Sequence, residues 1–223
     1  MLLRIPAVLN REQLNTVAGL LADARFVDGK LSAGREAKRV KANQELPLDA
    51  AQIERLNDIV MGGLVNHPVY QWATLPHRVA VPFYARYLPG MAYGDHIDDP
   101  VMGAGARYRA DIAITMFLNA PEHYDGGELV IRTHFGEQTV KLPAGDAILY
   151  PASSMHRVTE VTRGVRLVAV TWVQSLIREP AKRELLYDLH LAREKLLRVA
   201  PDADETARVN NAYVNLVRMW AEL

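Results

Sequence analysis

The sequence of 223 residues predicts a mainly β protein with flanking helices, whose core is a sandwich, a barrel or a jelly roll. Between about residues 78 and 173, apolar side chains recur with a period of two, which is typical of strands. Turn signals rich in glycine and proline divide this region into many short segments. Regular short segments of this kind indicate antiparallel sheets rather than a parallel α/β sheet. On both sides of the region, apolar residues recur at helical spacing.

Composition excludes several kinds of site. The 26 basic and 26 acidic residues balance, so we expect no overall field that would attract nucleic acid or an anionic membrane. The chain contains no cysteine, which excludes disulfides, zinc–thiolate sites and thiol nucleophiles. No apolar run reaches the length of a membrane span, and the first residues lack the pattern of a secretion signal. We therefore expect a soluble, cytoplasmic protein.

Two helices are predicted before the β region. Asn10 followed by Gln13 has the spacing of a capping box, and an amphipathic run comes after it. Asp49 and Gln52 repeat this pattern before a second amphipathic run. The segment between the two helices, residues 25–47, is polar and basic. We interpret it as a solvated loop or an edge strand in preference to a substrate-facing flap.

The remaining elements follow from the same patterns. Strands are predicted at 78–87, 109–118, 128–132, 137–141, 146–150, 155–161 and 165–173. The loop from Pro100 to Arg109 contains Gly103 and Gly105 and is a candidate lid. After Pro180, one helical stripe contains Leu185, Leu189, Ala192 and Leu196, and a second contains Val209, Tyr213, Leu216, Val217 and Trp220. We expect an N-terminal region (1–77), a β core (78–177) and a C-terminal helical hairpin (178–223), which is a candidate homodimer contact.

His96 and Asp98 are the first candidates for chemistry. Residues two apart on a strand point to the same face, so this imidazole and this carboxylate would share one space. A second histidine would complete the set of two histidines and one carboxylate that is typical of non-haem iron. Of the seven histidines, His156 is favoured because it opens a predicted strand after a bend. His123 and His134, beside turns, are the alternatives.

Arg166 supplies a second kind of signal. It lies ten residues after His156, on a strand that is apolar on both faces. A buried guanidinium is unfavourable unless it is paired, and arginine forms bidentate hydrogen bonds with carboxylates. An internal salt bridge would explain it, and so would a bound ligand with a carboxylate. Together with His96, Asp98 and His156, the ligand is the favoured explanation.

Six motifs then occur in order: Tyr87-Leu88-Pro89-Gly90, His96-Ile97-Asp98, Asp125-Gly126-Gly127-Glu128-Leu129, Gly145-Asp146-Ala147-Ile148-Leu149-Tyr150-Pro151, His156-Arg157-Val158 and Arg166. This order resembles the iron(II)/2-oxoglutarate-dependent dioxygenases, and within them the bacterial PKHD-type hydroxylases related to prolyl and lysyl hydroxylases. The resemblance implies a double-stranded β-helix, or jelly roll. It also implies that His96, Asp98 and His156 bind Fe(II) and that Arg166 binds the distal carboxylate of 2-oxoglutarate, making these four residues the catalytic set. Tyr87 is a candidate helper of Arg166, or else a core aromatic side chain.

The reaction implied by this resemblance is hydroxylation with 2-oxoglutarate and oxygen as co-substrates, releasing succinate and carbon dioxide. Ascorbate is the expected reductant. The primary substrate, a protein or peptide side chain or a small molecule, is not specified by the sequence. Two alternatives stay open: a metal-dependent hydrolase with the same ligands, and a non-catalytic sensor of iron or 2-oxoglutarate.

Overall fold

The computed structural model describes residues 1–103 and 105–223. Its helices are α1 (Arg11–Ala22), α2 (Ala37–Val40), α3 (Ile53–Val65), α4 (Pro68–Thr74), α5 (Pro180–Val199) and α6 (Asp204–Trp220). Its strands are β1 (Leu3–Ile5), β2 (Val27–Asp28), β3 (Lys41–Ala42), β4 (Gln44–Glu45), β5 (Pro76–Val79), β6 (Phe83–Tyr87), β7 (Ala92–His96), β8 (Val101–Met102), β9 (Tyr108–Arg109), β10 (Ile112–Phe117), β11 (Tyr124–Gly126), β12 (Leu129–Thr133), β13 (Gly136–Val140), β14 (Ala147–Pro151), β15 (His156–Val158), β16 (Val161–Gly164) and β17 (Arg166–Ser175). The predicted mainly β fold with flanking helices is confirmed.

Two antiparallel sheets form the core. The larger sheet has the strand order β1-β14-β10-β17-β6-β4-β2, and β5 pairs with β17 beyond the end of β6. The smaller sheet has the order β13-β12-β15-β7-β3. Strands that neighbour one another in space are often distant in sequence, as expected for a jelly roll. The N-terminal 45 residues contribute strands to both sheets.

The larger sheet is buried on both faces because it lies between helices and the smaller sheet. In β10, Ile112, Ile114 and Met116 belong to the apolar cluster that includes α1, α3 and α4. The alternate residues Ala113 and Phe117 belong to the cluster between the two sheets. This alternation is the direct consequence of the period of two in a strand.

The N-terminal predictions are confirmed in part. Asn10 and Gln13 form a reciprocal capping box at the start of α1. The predicted cap at Asp49 is wrong, since α3 begins at Ile53 and has no side-chain cap. Residues 25–47 are not the solvated loop that we favoured, but the alternative of an edge strand is confirmed in part, since β2 and β3 lie at the edges of the two sheets. This segment contains β2, α2, β3 and β4, and β3 and β4 join different sheets.

Two predicted strands are each divided in two. The expected strand at 78–87 is interrupted around Pro82, between β5 and β6, and proline has no N–H to donate to a ladder. The expected strand at 155–161 consists of β15 and the start of β16. The candidate lid is a small hairpin of β8 and β9; Ala104, within it, lies outside the described residues.

The C-terminal hairpin is confirmed as α5 and α6. Its buried face differs from the predicted stripe, however, because Leu185 is 54 % exposed while α5 buries Arg183, Leu186 and His190. The homodimer through these helices stays a prediction. In the part of the chain that the structure describes, no helix has the length and apolar character needed to span a membrane.

Candidate active site

Two neighbouring strands of the smaller sheet bring the predicted metal ligands together. His96 on β7 pairs directly with His156 on β15, and the register then shifts so that Val158 pairs with Tyr93. A shift of this kind is a β-bulge, which turns side chains away from simple alternation. His96 is the last residue of β7, and Asp98 lies beyond the strand. The expectation that both sit on one strand is therefore wrong, although both side chains face the same cavity.

The three side chains form one cluster of donor atoms. One ligand atom each from His96, Asp98 and His156 lies within 4.8 Å of the others. His156 Nε2 is 3.8 Å from Asp98 Oδ1. Each histidine Nδ1 bonds a backbone carbonyl, that of Gly94 at 2.8 Å or of Ser154 at 3.0 Å. Because Nδ1 is the donor in these bonds, each Nε2 keeps a lone pair for a metal.

Aromatic side chains that were not predicted as site residues hold this cluster in place. Trp172, on β17 of the larger sheet, donates its Nε1–H to Asp98 Oδ2 at 2.9 Å. The Tyr93 ring stacks on His96 with centroids 3.6 Å apart. Tyr150 meets the His156 ring edge to face at 5.2 Å. Trp172 lies on the same strand face as Arg166. This shared face is the signal in the sequence that could have identified Trp172 as a site residue.

The electrostatics of the cluster favour metal binding. Burial, and then the nearby His156, lower the pKa of His96 to about 4. Burial also raises the pKa of Asp98, against the opposing effects of His156 and the Trp172 hydrogen bond. At neutral pH His96 is thus the neutral imidazole that can coordinate a metal. A cation would offset the cost of keeping the Asp98 carboxylate charged in this buried position.

The donor set fits Fe(II). Two imidazole nitrogens and one carboxylate oxygen are the ligands found in non-haem iron sites with open coordination positions. His123 and His134, the alternatives considered above, are both exposed. Of the described residues, His96, Asp98 and His156 form the group that could hold a metal ion.

Arg166 faces the same cavity from the larger sheet. It is 1 % exposed, and its Nε has no hydrogen-bond partner among the described residues. The acid whose charge acts on it, Glu128, accepts a hydrogen bond from Thr159 instead. An internal salt bridge therefore does not explain Arg166 within the described part of the chain. A buried guanidinium in this state favours an anionic ligand.

Tyr87 is placed where the sequence suggested. It pairs with Arg166 across β6 and β17, and the guanidinium carbon lies 4.9 Å from the centre of its ring. Tyr87 is buried and lines the cavity. Burial raises the pKa of its hydroxyl, so this group stays protonated and can donate a hydrogen bond.

Gly127, the second glycine of the Asp125–Leu129 motif, makes room for Arg166. Gly127 has a φ of +65°, and a Cβ there would lie 3.0 Å from Arg166 Cδ and 2.9 Å from Val161 Cγ2. The cavity has a volume of about 660 Å³, which is in the range of small-molecule sites. It extends from Arg166 past the His96, Asp98 and His156 cluster to the surface at Val81 and Val101.

Comparisons with known proteins agree with this geometry. Residues 82–174 match the profile of the 2OG-Fe(II) oxygenase superfamily, and residues 181–222 match that of the PKHD-type hydroxylase C-terminal domain. A PKHD-type hydroxylase of Thioalkalivibrio sulfidiphilus is 51% identical over 224 residues, and one of Hyphomonas neptunium is 45% identical over 227 residues. In both cases the match covers 100% of this chain and 100% of the relative.

Solved structures share the fold at lower identity. A Pseudomonas putida prolyl-4-hydroxylase has a TM-score of 0.55 at 18% identity, covering 78% of this chain and 92% of that one. HygX from Streptomyces hygroscopicus, with nickel, 2-oxoglutarate and hygromycin B bound, has a TM-score of 0.53 at 16% identity, covering 80% and 84%. These similarities establish the jelly roll.

Proposed function

Because this chain belongs to the PKHD-type hydroxylase family of 2OG-Fe(II) oxygenases, we propose that it hydroxylates a primary substrate while 2-oxoglutarate is converted to succinate and carbon dioxide. Fe(II) is its cofactor, and 2-oxoglutarate and oxygen are its co-substrates. In the overall reaction one oxygen atom enters the substrate as hydroxyl and the other enters succinate. The primary substrate is a protein or peptide side chain, or a small molecule.

One observation carries the proposal. A fully buried arginine, without a carboxylate partner among the described residues, shares a cavity with two histidines and an aspartate whose donor atoms converge. A metal-dependent hydrolase needs no carboxylate clamp, whereas 2-oxoglutarate has a carboxylate at each end. Arg166 therefore discriminates between the two kinds of metal chemistry in favour of the oxygenase.

Each site residue has a distinct task in this proposal. His96 and His156 would bind the metal through Nε2, and Asp98 through its carboxylate. When bound, Fe(II) supplies the Lewis acidity and the redox chemistry for the reaction with oxygen. Arg166 would hold the distal carboxylate of 2-oxoglutarate, with the Tyr87 hydroxyl as a second donor.

Apolar side chains of the inner cavity would help to exclude water from the reacting groups. Leu129, Val158 and Val170 line it together with Arg166 and Tyr87. Apolar walls strengthen the interaction between a guanidinium and a carboxylate because they lower the local dielectric constant. They also protect reactive species from side reactions with solvent.

The first test is the formation of succinate from 2-oxoglutarate by the purified protein with Fe(II), and we propose ascorbate as the reductant that sustains turnover. We expect His156→Ala to abolish succinate formation because it removes one of three metal ligands. His123→Ala is the matched control and should retain it, since His123 is exposed at a turn. Full turnover by His156→Ala would contradict the proposed ligand set.

The second test concerns Arg166. Arg166→Gln removes a charged donor, and hydrogen bonds to charged groups contribute roughly 1.5–3 kcal/mol. We therefore expect the KM for 2-oxoglutarate to rise by about 10-fold to 100-fold while Fe(II) still binds. Arg163→Gln is the control, because Arg163 pairs with Asp125 on the surface. An unchanged KM in Arg166→Gln would show that Arg166 does not bind the co-substrate.

A further inference from the structure

A polar strand forms one wall of the cavity. Residues 41–45 run from the smaller sheet, where β3 pairs with β7, to the larger sheet, where β4 pairs with β6. Lys41, Asn43 and Glu45 are buried while Ala42 is exposed, as alternation in an extended segment requires. All three buried side chains line the cavity. We call Lys41, Asn43 and Glu45 the polar wall.

The ammonium group of Lys41 has one N–H donor that is not used within the described part of the chain. Its Nζ donates to Glu45 Oε1 at 2.5 Å and to Ser32 Oγ at 3.0 Å. An ammonium group carries three protons, and the described part of the chain provides no third partner. Lys41 Nζ lies 5.4 Å from the centre of the Tyr93 ring, and that ring stacks on His96. The spare donor is thus close to the proposed metal ligands.

Asn43 is a second source of donors on the polar wall. It is 4 % exposed and lines the cavity, and its amide lies beside the Tyr87 hydroxyl. Its Oδ1 packs against Gly29, where an added Cβ would lie 1.9 Å from it, and an oxygen cannot donate. The NH2 group, with two N–H donors, is therefore the end of the amide that can bond to an oxygen acceptor in the cavity.

A structural role accounts poorly for the polar wall. Its ion pair joins Lys41 to Glu45, four residues away in the same segment, and the other side-chain hydrogen bonds of the pair reach Ser32. The pair therefore does not hold the segment to either sheet. The backbone pairing of β3 and β4 does that. A buried ion pair is often no more stabilising than an apolar pair of similar size. The charges are better explained by a bound molecule than by the stability of the fold.

We propose that the polar wall binds an oxygen acceptor of the primary substrate, a carboxylate or an amide carbonyl, next to an apolar part of that molecule. The wall offers donors from Lys41 and Asn43. The substrate would need an apolar part because the mouth of the cavity is apolar. Four exposed apolar side chains line this mouth: Leu48, Val81, Ile97 and Val101. The proposal rests on the proposed function, because it assigns the Arg166 end of the cavity to 2-oxoglutarate.

The test uses the full chain loaded with Ni(II) and 2-oxoglutarate, so that no turnover occurs and the Arg166 end is filled. Three probes share one apolar chain and differ in the head group: hexanoate, hexanamide and hexylamine. Their binding is measured by ligand-observed NMR and calorimetry. We expect hexanoate or hexanamide to bind more tightly than hexylamine, and the better of the two identifies the acceptor.

The variants separate recognition from folding. Lys41→Met should weaken the better probe at least about 10-fold, in line with the loss of a charged donor. Because Lys41→Met leaves Glu45 buried and unpaired, the double variant Lys41→Met/Glu45→Gln is measured as well, with circular dichroism and thermal unfolding as checks on the fold. Lys38→Met is the control, since Lys38 is exposed on the same segment.

Three outcomes would overturn the proposal. The first is tightest binding of hexylamine, and the second is equal probe affinity in the natural chain and the double variant. The third is a loss of 2-oxoglutarate affinity on changing Lys41, which would place the polar wall in the co-substrate site. Failure of 2-oxoglutarate to bind the natural chain in the loading step is distinguishable from all three. It would remove the proposed function together with this inference.

Discussion

At the scale of single residues, Asp98 depends on a side chain from the opposite sheet. The Trp172 indole fixes one carboxylate oxygen at 2.9 Å, leaving the other oxygen 3.8 Å from His156 Nε2. Both carboxylate and indole are part of a largely buried site, so the carboxylate has few alternative orientations. Hydrogen bonds of this kind orient metal ligands and tune their affinity.

Trp172→Phe keeps the aromatic volume and removes the donor. We expect the affinity for Fe(II), or for Co(II) as a spectroscopic substitute, to fall by about 10-fold to 100-fold because Asp98 loses its fixed orientation. Metal titration followed by absorption measures this. Trp72→Phe is the matched control, since Trp72 packs against His190 in the helical layer. If Trp172→Phe binds metal as tightly as the natural chain, the indole does not orient Asp98.

The sequence predicted those site residues whose type is chemically unusual for their position. His96, Asp98, His156 and Arg166 are polar groups in apolar or strand-like surroundings, and they could be recognised because each supports the interpretation of the others. Tyr93 could not, because it reaches His96 only through the bulge between β7 and β15. Trp172 lies on the same strand face as Arg166, but its contact with Asp98 could not be predicted, since it crosses from one sheet to the other.

At the scale of elements, the sequence pattern did not predict the strand from Lys41 to Glu45 because its buried side chains are polar. Period-two alternation predicts a strand when the buried face is apolar, and here the buried face carries two charges and an amide. The short strands β15 and β16 were missed for a different reason, since their boundaries are set by pairing with distant strands, which local pattern does not record. The interruption at Pro82 did have a local signal, the proline itself.

The turn between β11 and β12 is the element whose geometry most directly shapes the site. Gly127→Ala would strain a backbone with φ of +65° and press a methyl group on Arg166 Cδ and Val161. Backbone strain of this kind contributes about 1–3 kcal/mol, so we expect destabilisation of that order together with a raised KM for 2-oxoglutarate. Urea unfolding and succinate kinetics measure the two effects.

A glycine with open space around it provides the control for that change. Gly90 has a φ of +83° and no atom within 4 Å of its Cβ position. Gly90→Ala should therefore be destabilising through its backbone alone and leave the KM for 2-oxoglutarate unchanged. Equal KM values in both variants would mean that Gly127 does not position Arg166.

At the scale of the whole molecule, the C-terminal hairpin is attached through polar and aromatic contacts. Buried Arg183 donates to the carbonyls of Ile177 and Arg178. The His190 ring packs at a tilt against Trp72 of α4, with centroids 4.1 Å apart, and against Tyr213 of α6, with centroids 5.7 Å apart. The histidine is 1 % exposed, and neither ring nitrogen has a hydrogen-bond partner among the described residues. This joint between three helices is therefore sensitive to protonation.

The attachment of the hairpin should weaken in mild acid. Burial lowers the pKa of His190, with Arg193 acting in the same direction and Glu194, 3.9 Å from Nδ1, opposing it. Because the unfolded chain binds this proton more readily than the folded one, the contribution of His190 to stability is complete above the unfolded-state pKa of about 6.5. The contribution of His190 to the free energy of unfolding falls as the pH drops below that pKa. The loss is up to about 1.4 kcal/mol for the first pH unit.

His190→Phe keeps an aromatic ring at this position and removes the titratable group. We expect the variant to lose less unfolding free energy than the natural chain between about pH 7.5 and about pH 5.5, measured by urea unfolding of the metal-free protein. His96, whose pKa burial also lowers, is present in both proteins, so the difference between them isolates His190. His134→Gln, at an exposed position, should retain the natural pH dependence. An undiminished acid sensitivity in His190→Phe would locate the sensitive group elsewhere.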